Sequence, residues 1–408
     1  MAREMLASDA KPSQKAVLHL DRCLSCLSCQ TTCGANVQYR NVIDAAREHI
    51  ERSGVRPWRQ RIFRSALATV LTRPVLLKPL MRVGRSVSGL TKRMPGPLGA
   101  LGALCHAPAL DALRKREDAG PDIQVGDGAK RVLLVTGCVQ SVSGEEINAA
   151  AARLMRRSGL EVIMAPASSC CGALDLHMGR RTQARSHAGK RIEEWFELLD
   201  SGQIDCIVST TSGCGSVMRH YDEVVSDSPE LKDKATRVMA AVIDISQLPE
   251  LLELHPTGCA NGLRVAYHDA CSMKHGMKLT GAPRKVLRKL GVDVIDIAES
   301  HVCCGSAGTY NILQPSIANR LGARKANHAN AAKPDAIAAA NLGCLVQISR
   351  FSGTPVVHTV QLLDWATGGP PPRGLEAFSP PPEREPETEG AAPVSGPGAT
   401  ESTEISLW

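Results

Sequence analysis

Two stretches of this chain carry the same cysteine rhythm, and that repeat limits the fold more than any other feature. In the first, the apolar run VLLVTG (132–137) ends at Cys138, and 31 residues separate Cys138 from the pair Cys170 and Cys171. In the second, LRVAYHD (263–269) leads to Cys271, and again 31 residues separate it from Cys303 and Cys304. A last cysteine follows the pair after 42 residues in one copy (Cys214) and after 39 in the other (Cys344). Agreement over two independent intervals marks a duplication. Each cysteine group stands just after a strand-like apolar run and just before a helical one. LEVIMAP precedes Cys170, CIVSTTSG leads into Cys214, VDVIDIA precedes Cys303 and DAIAAANLG leads into Cys344. Alternating strand and helix predicts a parallel sheet in each copy. Ligands of such sheets bind where the strands end. Cys138, Cys170, Cys171 and Cys214 are therefore expected to converge, and so are Cys271, Cys303, Cys304 and Cys344. Gly137, Gly172, Gly213, Gly305 and Gly343 allow close backbone approach beside a bulky ligand.

A second cysteine feature lies near the start. DRCLSCLSCQTTCG (21–34) sets Cys23, Cys26, Cys29 and Cys33 in a C-x2-C-x2-C-x3-C run. A tight loop of this spacing wraps three thiolates onto one [4Fe-4S] cube, and the fourth, a helical turn further on, points away. Zinc sites more often use two separated C-x2-C pairs or cysteines mixed with histidines. Four free thiols this close would be a reactive liability. The loop is predicted to bind iron and sulfur, and the helical pattern VIDAAREHIERSG follows it, closed by Gly54 and Pro57. Fifteen cysteines in 408 residues exceed incidental use. The N-terminal residues carry no apolar export signal, so a cytoplasmic, reducing setting is expected, with cysteines as metal ligands rather than disulfides. The longest uncharged stretch, Met94 to Leu110, is interrupted by Pro95, Pro97 and Pro108, which argues against a membrane span.

The segment from Arg52 to Leu110 has no acidic residue and eleven Lys and Arg, against a net charge of only +7 for the chain. Interleaved apolar residues predict short amphipathic helices broken by Pro74 and Pro79. Three readings fit: anionic lipid headgroups (peripheral contact with the inner membrane), an acidic partner subunit, or a solvated basic face. Nucleic acid does not fit, because no helix-turn-helix, zinc finger or aromatic-studded strand accompanies the charge. No serine–histidine or cysteine–histidine pairing and no Gly-rich dinucleotide fingerprint is present, so no catalytic residue and no bound flavin or nicotinamide is expected. His268 and Asp269 precede Cys271 and His301 precedes Cys303; a role behind the ligands and a buried, satisfied histidine are both open. Cys206 reads as core, while Cys105 and Cys259 carry no signal.

The predicted organisation is a flexible leader (1–15), a ferredoxin-type loop and helix (16–55), a basic helical segment (56–113) and a linker (114–130). The two repeat copies follow (131–255 and 256–367), then a Pro-, Gly-, Glu- and Ser-rich tail (368–408) that cannot form a core. The expected fold class is α/β, with a small α-helical ferredoxin-type cluster domain and two duplicated parallel-sheet βαβ domains.

CCGAL and CCGSAGTY, each at matched spacing behind a single cysteine, resemble the cysteine-rich CCG domains of heterodisulfide reductases, anaerobic glycerol-3-phosphate dehydrogenase and lactate-utilisation proteins. With LDRCLSCLSCQTTC, VIDAAREHIE, SGCGS, HDAC, ESHVCCGSAGTYNILQP, ANLGC and VVHTVQLLDW, the chain from about residue 16 to 367 is most similar to the iron–sulfur subunits of bacterial glycolate oxidase. The resemblance implies an electron conduit between a flavin-containing partner subunit that oxidises glycolate and a membrane acceptor, a quinone. The same role with D-lactate or another 2-hydroxy acid is the alternative, as is a zinc-stabilised subunit with no redox role. The family pattern has two ferredoxin-type motifs, and this chain matches only the second, which leaves the role of Cys33 open. The closing C-x2-C of heterodisulfide reductase is also absent, with Val217 and Gln347 at those positions. For the repeat cysteines three readings stand: an iron–sulfur cluster in at least one copy, a structural zinc in each, or a degenerate scaffold of core thiols.

Overall fold

A computed structural model describes residues 2–8, 11–91, 94–114, 128–250 and 254–381. Each repeat copy folds into a four-stranded sheet. In the first, β1 (Arg131–Val135), β2 (Glu161–Met164), β3 (Cys206–Ser209) and β4 (Val242–Asp244) lie in the order β2-β1-β3-β4. In the second, β5 (Arg264–His268), β6 (Asp293–Asp296), β7 (Ala336–Ala339) and β8 (Val356–His358) repeat it as β6-β5-β7-β8. All six pairings are parallel. The inner strands are almost wholly buried, as Val-, Leu-, Ile- and Ala-rich runs between helical layers should be. Three strands per copy were legible; β4 and β8 were not, because three-residue runs (VID and VVH) are too short to show a period. The chain leaves β1 toward one side of the sheet and β3 toward the other, which opens a crevice at their carboxyl ends.

Gly172 and Gly305 have φ of +84° and +86°, and a Cβ there would stand 2.9 Å from the Ala184 carbonyl oxygen and 2.6 Å from that of Ala318. Their close approach is thus to the backbone of the following helix, Arg181–Asp200 or Pro315–Ala331, rather than to a ligand. The copies share one interior: Val132 and Leu134 of the first belong to the same apolar cluster as Val265, Ala266 and Tyr267 of the second. The helix Glu145–Arg157 packs on Thr359–Ala366, and Arg153 meets the buried Asp364 at 2.7 Å.

The N-terminal residues form a helical cap. Helix α1 (Tyr39–Arg52) buries Ile43, Ala46 and Ile50 against Val17, Leu20 and Met5. The expected flexible leader is corrected over residues 2–8, which form a helix whose Met5 is buried. The basic segment forms α2 (Trp58–Leu71), α3 (Pro74–Thr91) and α4 (Gly96–Cys105). Pro74 opens α3 as expected, but Pro79 lies inside it without ending it. The carbonyl that Pro79 leaves without a donor is that of Val75, which is 84% exposed, so water can take the bond. The expected tail is corrected over 368–381, where Leu375 is buried and Phe378 packs edge-on to Trp365 at 5.9 Å. Most of the linker (115–127) and the tail beyond 381 lie outside the described residues. Among the described residues no helix is long and apolar enough to cross a membrane.

His358, which ends β8, ties the copies together: its Nε2 donates to the Thr210 carbonyl at 2.9 Å and its Nδ1 accepts from the Val360 amide at 3.1 Å. Burial pushes its pKa down from 6.5 to about 4. Between those values the unfolded chain takes up a proton that the folded chain refuses, so the stability is full above 6.5 and is lost as pH falls toward 4. Asp244, at the matching end of β4, opposes this: burial raises it from 3.8 to about 6, so its contribution grows as pH falls. Urea unfolding at about pH 7 and about pH 5 is expected to show His358→Gln losing less stability on acidification than the parent, by up to about 2 kcal/mol. Equal losses would show that His358 titrates normally.

Candidate metal centres

The N-terminal loop is wound tightly. Ser25 and Leu27, on either side of Cys26, take left-handed backbone with φ of +51° and +60°, a conformation that costs a non-glycine residue about 1 kcal/mol or more. The Ser25 amide donates to Cys23 Sγ at 3.4 Å. Burial pushes the Cys26 and Cys29 thiols up, whereas backbone N–H groups of Val37 and Ala35 pull Cys33 down. Arg47 of α1 fixes the loop: its guanidinium donates to the Cys23 carbonyl at 2.7 Å, to Ser25 Oγ at 2.6 Å and to the His177 carbonyl at 3.0 Å. Tyr310 closes the far side, its hydroxyl donating to the Arg22 carbonyl at 3.1 Å.

The repeat cysteines converge at the strand ends. In the first copy, Cys138, Cys170 and Cys171 are buried and Cys214 half-buried. Cys170 is pushed up, chiefly by its hydrogen bond with Cys138, and Cys214 by its bond with Cys171. In the second copy, Cys303, Cys304 and Cys344 are buried and Cys271 half-buried. Cys304 donates to Cys344 and holds it down at about 5, while Cys303 is lowered first by its bond with Cys271. The Gly172 amide donates to Cys170 Sγ and the Gly305 amide to Cys303 Sγ, both at 3.4 Å, so the glycine after each pair repeats one contact. Hence each copy holds four soft sulfur donors in contact, largely withdrawn from water.

All three groups face one space. A cavity of about 660 Å³ is lined by all eight repeat cysteines, by Cys23 and Cys26 of the loop, and by apolar side chains of α2, α3 and α4. Cys26 lies within electrostatic reach of Cys303 and Cys271. Cys29 is exposed, and neither it nor Cys33 lines the cavity. His301 is exposed, while His268 is 1% exposed. Cys206 is half-buried at the start of β3, Cys259 donates to the Trp365 carbonyl at 3.1 Å, and Cys105 borders the cavity beside α3.

The model of the CCG cysteine-rich domain matches residues 132–219 and 265–349. The glycolate oxidase iron-sulfur subunit of Escherichia coli (strain K12) is 32% identical over 348 residues, 85% of this chain and 82% of that one. The chain belongs to the family of glycolate oxidase iron–sulfur subunits. A probable glycolate oxidase iron-sulfur subunit from Bacillus subtilis (strain 168) is 27% identical, over 87% of this chain and 83% of its own. Lactate utilization protein A of Geobacillus kaustophilus (strain HTA426) is 26% identical over 57% of this chain and 98% of its own length.

Three features of this glycolate oxidase family member escaped the sequence. Arg40 of α1 is buried, and its two amino groups donate to the Ser216 and Gly276 carbonyls, each at 3.2 Å. Those carbonyls end the helical turns Ser212–Met218 and Ser272–Gly276, in which Cys214 lies and which Cys271 begins. Arg191 and Lys325 stand seven residues after Ala184 and Ala318, so each centre has a cation at the same place. Arg191 donates to Ser169 Oγ at 2.6 Å, and the buried Lys325 donates to the Glu299 carbonyl at 2.7 Å. A lone buried cation leaves no periodic signal, although charged residues on the inner faces of these helices are the feature that could have marked them.

Proposed function

We propose that the chain is an electron-transfer subunit of a glycolate-oxidising complex, taking electrons from a flavin-containing partner subunit and delivering them to a quinone at the cytoplasmic face of the inner membrane. The single observation that carries this reading is the shared cavity: ten cysteines from three separate motifs border one largely apolar space. Soft, dehydrated sulfur donors, with the buried Lys325 beside those of the second copy, fit iron and sulfur. Cys23, Cys26, Cys29 and Cys33 would hold a [4Fe-4S] cluster, with Cys138, Cys170, Cys171 and Cys214 as ligands in the first copy and Cys271, Cys303, Cys304 and Cys344 in the second. A cluster bound there supplies one-electron oxidation and reduction. The protein's part is to keep water out, to compensate thiolate charge in the second copy with Lys325, and to hold Cys26 against that copy.

The basic helices supply the membrane side of the reading. Trp58, Ile62, Val75, Leu76, Leu80, Val83, Val87 and Leu90 of α2 and α3 are exposed beside Arg59, Arg61, Arg73, Lys78 and Arg82. Apolar and basic side chains interleaved on helices suit an anionic lipid interface. Arg56 does not join them, being buried against Asp21 at 2.6 Å and Glu51 at 2.7 Å. Likeness to lactate utilization protein A favours a second reading, the same role with lactate as the electron source, but that match covers 57% of the chain, against 85% for the Escherichia coli subunit.

One preparation tests the proposal. The chain, co-expressed with a flavin-containing partner and isolated without air, is expected to carry iron and sulfide and to show a reduced-state EPR signal. It should also pass electrons from glycolate to a lipophilic quinone in anionic vesicles, less well in neutral ones. Zinc without iron would replace the redox role with a structural one. Iron with no preference for anionic vesicles would leave the basic face to the partner subunit.

A further inference from the structure

Val135 and His268 close the equivalent strands β1 and β5, each three residues before the first cysteine of its copy. In the first copy the position is aliphatic and packs in the core. In the second it is an imidazole, 1% exposed, for which the described residues supply no nitrogen or oxygen partner; the group it faces is the Cys344 thiol. A buried imidazole without a partner is unfavourable, and the first copy shows that valine fills the position. The other fully buried histidine, His358, has both nitrogens engaged. What surrounds His268 is sulfur: its ring nitrogen and the sulfurs of Cys304 and Cys344 all lie within 4.8 Å of one another. The polar side chain that follows Cys344 by one helical turn is no competitor. Gln347 already donates to the Ala318 carbonyl at 2.9 Å and accepts from Asn311 and Arg350.

We infer that His268 is a metal ligand, its neutral imidazole adding a nitrogen donor to the thiolates of Cys271, Cys303, Cys304 and Cys344. The inference rests on the metal-binding reading of those cysteines. It makes the two copies chemically unlike: the first offers sulfur alone, the second sulfur and nitrogen. Imidazole raises the potential of iron–sulfur centres where it replaces thiolates; here all four thiolates remain, so the nitrogen changes the ligand set without removing a charge.

The test uses the full chain, isolated without air after growth with ¹⁵N-labelled histidine, together with His268→Val, which reproduces the first copy. Metals are counted first. If iron is present, pulsed EPR of the parent is expected to show the coupling of a directly bonded histidine nitrogen. That coupling should vanish in His268→Val. Iron with no such coupling, or with only the weak coupling of an N–H donating to sulfur, overturns the inference and leaves the iron–sulfur reading standing. If zinc is found instead, that reading fails, and X-ray absorption decides the ligand: imidazole scattering lost in His268→Val supports it, and sulfur alone overturns it. A chain free of metal removes both. Should His268→Val not fold, His268→Gln takes its place, and the parent spectrum already excludes or reveals a bonded nitrogen.

Discussion

Cys26→Ser is expected to empty the N-terminal loop while leaving the repeat copies loaded. A serine hydroxyl stays protonated at neutral pH and cannot replace a thiolate. Cys26 is also the loop cysteine that borders the cavity within reach of Cys303 and Cys271. The left-handed residues on either side of it, held by Arg47 through Ser25 Oγ and the Cys23 carbonyl, wind the loop tightly around it. Loss of an outer partner to a metal ligand typically costs ~10–100-fold in affinity or activity, and loss of the ligand itself should exceed that. Iron per chain should fall by the loop's share, one EPR signal should disappear, and glycolate-driven reduction of the acceptor should drop by more than ~100-fold. Cys105→Ser, outside every group, is the control and should retain its iron. Undiminished iron in Cys26→Ser would sink the assignment of the loop.

The second large effect belongs to Arg40. Burial lowers its pKa, and its guanidinium is committed to the Ser216 and Gly276 carbonyls, one from each copy. A cation at the carboxyl ends of two short helical turns also opposes their partial negative charge. Arg40→Ala removes two charge-assisted bonds; the Ser216 carbonyl keeps His220 Nδ1 at 2.9 Å, while the Gly276 carbonyl loses its side-chain donor, a loss of about 2–4 kcal/mol in all. That is a large fraction of the ~5–15 kcal/mol by which domains are stable. The urea midpoint should fall accordingly, and limited proteolysis should release the helical cap before the repeats are cut. Arg40→Lys keeps the charge but lacks the planar fork, so it should recover only part of the loss. A midpoint unchanged within about 0.5 kcal/mol would show that α1 is held by its apolar face alone.

How much of this was legible from residues follows from what leaves a pattern. Cys138, Cys170, Cys171 and Cys214 could be expected to converge because each follows a β-branched run, and a parallel sheet brings such ends together. The basic helices were legible as charge, but not that Pro79 would ride inside α3, since that depends on the solvent exposure of Val75. The packing of residues 368–381 was hidden because Leu375 and Phe378 are isolated apolar residues in a Pro-rich stretch and find their partners only in the fold. Arg40 and Arg47 carry no signal of their own in the sequence, yet they are contacts that seat the helical cap and the loop. His268 was visible as a residue, but its meaning depends on what its ring nitrogens face, which no sequence displays.

The duplication has lost the independence that duplicated units begin with. Leu134 and Ala266 share a single interior, and the Thr210 carbonyl in one half accepts from His358 in the other. Severing the chain between the halves would expose greasy surface on both and break that bond, so neither half is a self-sufficient module that could be traded between proteins. Divergence is thereby licensed. With the scaffold secured jointly, a substitution such as valine for histidine beside one set of thiols can specialise that half without a matching change in its twin.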